Sequence, residues 1–413
     1  MTSFALAVLV LLSIKAAMQL GLELCNRRHV LAHAARVPEA LRGITDPQTY
    51  QKAVTYTLAK NRADYFEIIW DALILALIVF SGLLPWLYRE AITHWGSSAW
   101  VSAAYLLGVG LLTSLTALPL SWYHQFRLEE RFGFNTTTLR LWLVDRVKGF
   151  NLAILLGYPL ILLILKVVEW TGNSWWIWSW AVLLAFQLLM AVLAPALILP
   201  LFNKFTPLPD GSLKQRLLGL AERTQFRAQS IQVMDGSKRS RHSNAFFTGF
   251  GRFRKIVLFD TLVQQLSESE LEAVLAHEIG HYKRKHIPKM LLISAGTSLA
   301  GFFALSLLAQ AAWFAPAFGF PAGSLVPSLL LFVLLSGLVT FWFSPLSNLW
   351  SRKNEYEADA YAADVMGSPQ DLVGALRKLT EKNLSNLTPH PAYSTFYYSH
   401  PTLLEREAAL RVS

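Results

Sequence analysis

The chain has 413 residues, of which 54% are hydrophobic and only 15% charged. Soluble proteins average about 25% charged residues, so a disordered chain is excluded and an ordinary cytosolic enzyme does not fit. The net charge of +10 leaves nucleic acid, a membrane surface or membrane topology open, while the single cysteine, Cys25, excludes an intrachain disulfide and a cysteine-based zinc site.

A spanning helix needs about 20 mostly apolar residues. Seven stretches meet that condition, near 3–22, 66–88, 99–120, 150–169, 175–200, 290–313 and 325–346. The first has no basic segment before it; Arg27 and Arg28 follow it. That polarity predicts an anchor with its N-terminus outside rather than a cleaved leader. Of 37 basic residues, 34 fall in 23–65, 121–149, 201–289 and 347–413, and the intervening segments are nearly free of charge. Basic segments mark the cytoplasmic side. The predicted protein is therefore an all-α polytopic membrane protein with seven spans, its C-terminus in the cytoplasm. The charge has a topological explanation, which counts against a nucleic-acid partner; the lipid bilayer is the expected surroundings.

Residues 1–200 are read as the membrane region with spans one to five, and 290–346 as spans six and seven. The polar segments 201–289 and 347–413 together suffice for one cytoplasmic domain, interrupted by that last hairpin.

In the first polar segment, Ser267 followed by Glu270 reads as a capping box that starts a helix. That helix carries His277-Glu278-Ile279-Gly280-His281. Residues four apart share a helix face, so His277 and His281 can share one tetrahedral zinc. Glu278 lies about 100° round, beside the ion and suited to act as base on its water. A third ligand must come from elsewhere: the metzincin extension would need Gly at 284 and His at 287, which are Arg284 and Ile287. A carboxylate on a later helix is the natural choice. Glu355 and Asp359 are four apart on such a helix, offering a ligand, Glu355, and a carboxylate, Asp359, to orient a ligand imidazole. His281 precedes Met290 by nine residues and Glu355 follows Leu346 by nine, about 13 Å of helical rise in each case. The last hairpin of spans then brings both motifs to the same face. His286 is read as interfacial or structural.

These residues, with Ser351-Arg352, Glu355-Tyr356-Glu357-Ala358-Asp359, Tyr398-Ser399-His400-Pro401, Leu403-Leu404-Glu405-Arg406 and the segment from Ser237 to Phe247, resemble the type I CAAX prenyl endopeptidases, integral-membrane zinc peptidases. The resemblance covers nearly the whole chain. It implies a helical barrel around a water-filled chamber, with an α+β zinc metallopeptidase domain at the cytoplasmic side. It implies one catalytic Zn²⁺ on His277, His281 and Glu355, with Glu278 as base. It also implies that Asn244 contacts the substrate backbone and that His400 and Arg406 lie near substrate and transition state. The substrate would be a peptide or protein, lipidated in the eukaryotic members. Short loops and the lack of an evident retrieval tail favour a bacterial inner membrane over the ER. The rival readings are a membrane quality-control protease and, in another class, a transporter or lipid-binding protein with a structural metal. The residues 245–247 and 255–259 read as short strands, with an edge able to hold an extended peptide.

Overall fold

The structure is a computed structural model, and it describes residues 1–226, 230–248 and 255–412. Its membrane part is built from helices joined by short turns and loops. Among the described residues, five helical stretches are long and apolar enough to cross a bilayer: Ser3–His33, Ala99–Phe132, Leu139–Phe202, His286–Gln310 and Leu325–Met366. A sixth is the pair Pro47–Phe80 and Leu83–Trp95, bent by 47° at the break between them. The seven predicted spans are thus distributed differently. The stretches expected at 150–169 and 175–200 lie within the single 64-residue stretch Leu139–Phe202. A short turn, Gly172–Ser174, separates helices Tyr158–Thr171 and Trp175–Leu193, which pack against each other. Gly172 takes φ +54° there, a conformation open to glycine and costly for residues with a Cβ. Apolarity runs through the turn, so hydropathy alone does not reveal the fold-back.

Local chemistry sets the other ends. Asp46 Oδ1 accepts from the backbone N–H groups of Gln48 and Thr49, and Pro47 occupies the first helical position. Both features suit a helix start, where backbone donors are orphaned. The predicted membrane edges are too short, because helices run on past the apolar windows: the first continues from residue 22 to His33. The last apolar helix continues into the acidic motif, by way of a short turn at Phe341–Phe343.

The polar segments form one layered unit. Its sheet has strands β1 (Phe205–Pro207), β2 (Ser230–Met234), β3 (Ala245–Thr248) and β4 (Lys255–Phe259), in the order β1-β2-β4-β3. β2 and β4 are parallel, with Ile231 opposite Ile256; the other pairings are antiparallel. β3 and β4 coincide with the predicted strands, whereas β1 and β2 were not anticipated. Ile231, Ile256 and Leu258 pack with Leu217 and Leu220 and with Leu271, Leu275 and Ile279 of the motif helix. This core fixes the helix that carries both histidines. Burying one such aliphatic side chain contributes about 1.5–3 kcal/mol. The unit is tied to the membrane helices by Arg239, whose guanidinium forks onto Asp145 at 2.8 and 3.0 Å and reaches Asn203 at 3.0 Å.

Candidate active site

The motif helix, Glu268–Lys283, begins with the predicted capping box: Ser267 Oγ accepts from the Glu270 N–H, and Glu270 accepts from the Ser267 N–H. One turn before its end stands Gly280. A Cβ there would lie 3.0 Å from the Cα and carbonyl oxygen of Ala358 and 3.2 Å from Tyr361 Cβ. The helix Ser344–Met366 therefore presses backbone to backbone against the motif helix, and this contact delivers Glu355 to the histidines. Gly280→Ala is expected to force the two helices apart, lowering stability by about 1–3 kcal/mol. A shift near 1 Å at a reacting centre costs roughly 10²-fold in rate. Thermal unfolding and peptide-cleavage rate check this; parent-like values in both would refute the packing role.

His277 Nε2 and His281 Nε2 are 3.2 Å apart. Glu355 Oε2 lies 3.5 Å from the first and Glu355 Oε1 3.3 Å from the second. His277, His281 and Glu355 form one of two groupings of potential metal ligands among the described residues. Their spacing matches the edge of a tetrahedron whose corners stand about 2.0–2.1 Å from its centre, the zinc–ligand distance for nitrogen and oxygen. Glu355 is buried, and among the described residues its Oε2 has no hydrogen-bond partner. A buried carboxylate oxygen without a donor is costly, and a cation at this point removes that cost. The donor set of two imidazoles and one carboxylate fits zinc.

Around this trio the groups are ordered by charge. His277 Nδ1 is 2.8 Å from Asp359 Oδ1, as expected for a carboxylate that orients an imidazole. Burial works against a charged His277, but the hydrogen bonds to Asp359 and Glu355 hold its pKa up at about 9. A metal and a proton therefore compete for Nε2. Asp359 is in turn held by Arg406, whose Nε donates to Oδ2 at 2.7 Å and whose Nη2 donates to Oδ1. Arg406 is itself buried and stands 3.8 Å from Glu355. Its direct partner is Asp359, and its Nη2 also lies 3.4 Å from His277 Nδ1. Glu278 is partly covered, and burial raises its pKa above the usual carboxylate range.

His400 approaches from the C-terminal tail. Its Nε2 is 3.4 Å from Glu355 Oε1, while 65% of its side chain remains exposed. The tail is held by the same helix that carries Glu355: Arg352 donates to the carbonyls of Ser394 at 3.1 Å and Tyr398 at 2.8 Å, and Asn348 donates to that of Phe396 at 2.6 Å. A cavity of about 410 Å³ opens beside His400, lined by Lys60, Tyr398, Ser399 and Thr402 among others. A second, of about 590 Å³, shares Lys60 and Tyr398 and reaches Glu23, Asn61 and Asp64 on the membrane helices. Asn244 is exposed at the start of β3; its carbonyl accepts from the Phe259 N–H at 3.1 Å and its Oδ1 from the Ala245 N–H at 2.8 Å. β3 is an edge strand that packs on the motif helix.

The sequence places His286 as interfacial or structural and does not pair it with His281. His286 is buried, and its Nδ1 is 2.9 Å from His281 Nδ1. The rise argument from His281 to the membrane also fails, because the helix breaks at Lys285, which takes φ +56°. Pro288 was the available signal: a proline clashes with the carbonyl four residues earlier, so a helix cannot run through it from Arg284 unbroken.

The fold and site define a multi-pass membrane endopeptidase of the metallopeptidase class. Residues 26–204 match the CAAX prenyl protease N-terminal family, described by five membrane helices, and residues 207–412 match peptidase family M48. The chain is 36% identical to CAAX prenyl protease 1 of Saccharomyces cerevisiae, over 94% of this chain and 91% of that one. It is 36% identical to the CAAX prenyl protease 1 homolog of Arabidopsis thaliana, over 91% and 90%. The crystal structure of S. mikatae Ste24p superposes with a TM-score of 0.91 at 34% identity, covering 99% of both chains. The chain belongs to the CAAX prenyl protease family within peptidase family M48. These relatives are eukaryotic and lend no support to the bacterial expectation.

Proposed function

We propose that the chain cleaves peptide bonds near the C-terminus of CAAX-type proteins presented from the membrane, with one Zn²⁺ held by His277, His281 and Glu355. The observation that carries this reading is the clustered trio of His277, His281 and Glu355, with the buried Glu355 oxygen that has no donor among the described residues, lying beside His400 and its cavity. When bound, zinc lowers the pKa of a water ligand to about 7 and polarises the scissile carbonyl.

The chain's own groups supply the rest. Glu278 accepts the proton of the attacking water and returns it to the leaving amine. His400, exposed yet close to Glu355, donates a hydrogen bond to the oxyanion. The free edge of β3, with Asn244 at its start, pairs with the extended substrate backbone. Asp359, gripped by Arg406, holds His277 with Nδ1 protonated and Nε2 free.

The same proposal includes the finer architecture. Counting the two halves of the stretch that turns at Gly172–Ser174 separately, together with the bent pair, gives seven spans, with the N-terminus outside and the C-terminus cytoplasmic. Polar cavities lined by membrane-helix residues such as Glu23, Asn61 and Asp64 support an enclosed hydrated chamber. Lipid substituents on the substrate would be accommodated at the bilayer side of that chamber.

The test is a panel of prenylated and unlipidated peptides ending in CAAX or in unrelated sequences, with the cut sites mapped by mass spectrometry. Cleavage confined near the C-terminus of the prenylated CAAX peptides, abolished by a zinc chelator and restored by zinc, is the expected outcome. Zinc-loaded protein that cuts none of these peptides, or cuts equally well in chelator, overturns the proposal.

A further inference from the structure

His277 is oriented by a carboxylate directly, whereas among the described residues no carboxylate meets His281 Nδ1. What meets that nitrogen is a third imidazole. His286 Nδ1 lies 2.9 Å from His281 Nδ1, and His286 Nε2 lies 3.1 Å from Glu357 Oε2. The side chain of His286 is 5% exposed and that of Glu357 is 33% exposed. On one continuous helix, residues 281 and 286 would stand about 140° apart and could not meet in this way. The left-handed Lys285 ends the motif helix and starts a new one at His286, turning its ring back towards His281. Glu357 comes from the helix that also carries Glu355 and Asp359.

We propose that His286 and Glu357 form a relay that positions His281 as a zinc ligand, the counterpart of Asp359 acting on His277. The inference rests on the reading of His281 as a ligand. The hydrogen-bond bookkeeping has one solution. If His281 offers Nε2 to the metal, its Nδ1 carries the proton and donates it to His286 Nδ1. His286 then carries its own proton on Nε2 and donates to the Glu357 carboxylate. Every donor faces an acceptor, and both ring orientations and tautomers are set. The helix Ser344–Met366 thus supplies one ligand and the anchoring carboxylates for the other two, Asp359 directly and Glu357 through His286. His286 and Glu357 are positioning residues; neither touches the substrate.

Partners of this kind typically contribute 10–100-fold to metal affinity. The experiment measures zinc affinity by chelator competition on the full chain in detergent, for the parent, His281→Ala, His286→Phe, Glu357→Ala and the His286→Phe/Glu357→Ala double variant. His286→Phe keeps the buried volume and removes both hydrogen bonds. The expected loss is about 10–100-fold for His286→Phe and smaller for Glu357→Ala, with the double variant no weaker than His286→Phe alone. The metal-free proteins should melt at similar temperatures, because the effect is on the ligand and not on the fold. If His286→Phe does not fold, Glu357→Ala, at a partly exposed residue, decides. Zinc affinity within twofold of the parent in the folded variants overturns the relay. If His281→Ala also binds zinc like the parent, it is the ligand assignment that fails instead.

Discussion

Glu278→Gln is expected to retain zinc and lose peptide hydrolysis by on the order of 10²–10⁴-fold, the usual contribution of a positioned acid–base group. The substitution is nearly isosteric. The proposed ligands are the nitrogens of His277 and His281 and the carboxylate of Glu355, which do not include Glu278, so their geometry should survive. What is lost is the ability to take a proton from water and return it to the amine. Burial raises the Glu278 pKa, and a base whose pKa moves towards neutrality transfers protons in both directions more readily than an ordinary carboxylate. Zinc content by elemental analysis and kcat on a cleavable peptide check the two halves separately. A variant with full zinc and a rate within tenfold of the parent would remove Glu278 from the base role. It would also reopen the transporter reading, in which this residue has no task.

Much of this site was legible because it is local. Two histidines and a glutamate at fixed helical spacing declare a shared face, and the capping box declares where that helix begins. Glu355 and Asp359 were legible as a pair for the same reason. Contacts that depend on where helices stop or turn were not. The fold-back at Gly172–Ser174 hides inside continuous apolarity, and β1, three residues long, has too few positions to display alternation. The contact of His286 with His281 was not legible because it depends on the helix break at Lys285, which also undoes the rise counted from His281 to Met290. The resemblance implied that Arg406 lies near substrate and transition state, and its burial against Asp359 could not be read from a charged residue flanked by Glu405 and Glu407. In the fold Glu405 bonds to Thr402, Glu407 is taken by Arg377, and Arg406 turns inward to Asp359.

That inward turn carries the largest expected effect on stability. Asp359 is 1% exposed. A carboxylate so placed stays charged only while donors surround it, and two of those donors come from one guanidinium. Arg406→Met preserves much of the side-chain volume and leaves Asp359 facing His277 alone. Removing one partner of a buried pair costs about 3–5 kcal/mol, because the remaining charge is desolvated without compensation. The variant should therefore melt at a markedly lower temperature, and its zinc affinity should fall as His277 loses a firmly held carboxylate. Arg406→Lys separates positioning from substrate contact. Lysine restores the charge but not the planar fork that grips both Asp359 oxygens, so it should recover only a small part of the stability and zinc affinity. If Arg406 instead met the substrate as a simple cation, both variants would keep the parent's melting temperature and zinc affinity, Arg406→Met would raise KM, and lysine would restore it. Direct measurement of melting, zinc affinity and KM on the three proteins distinguishes a brace beneath the metal ligands from a contact above them.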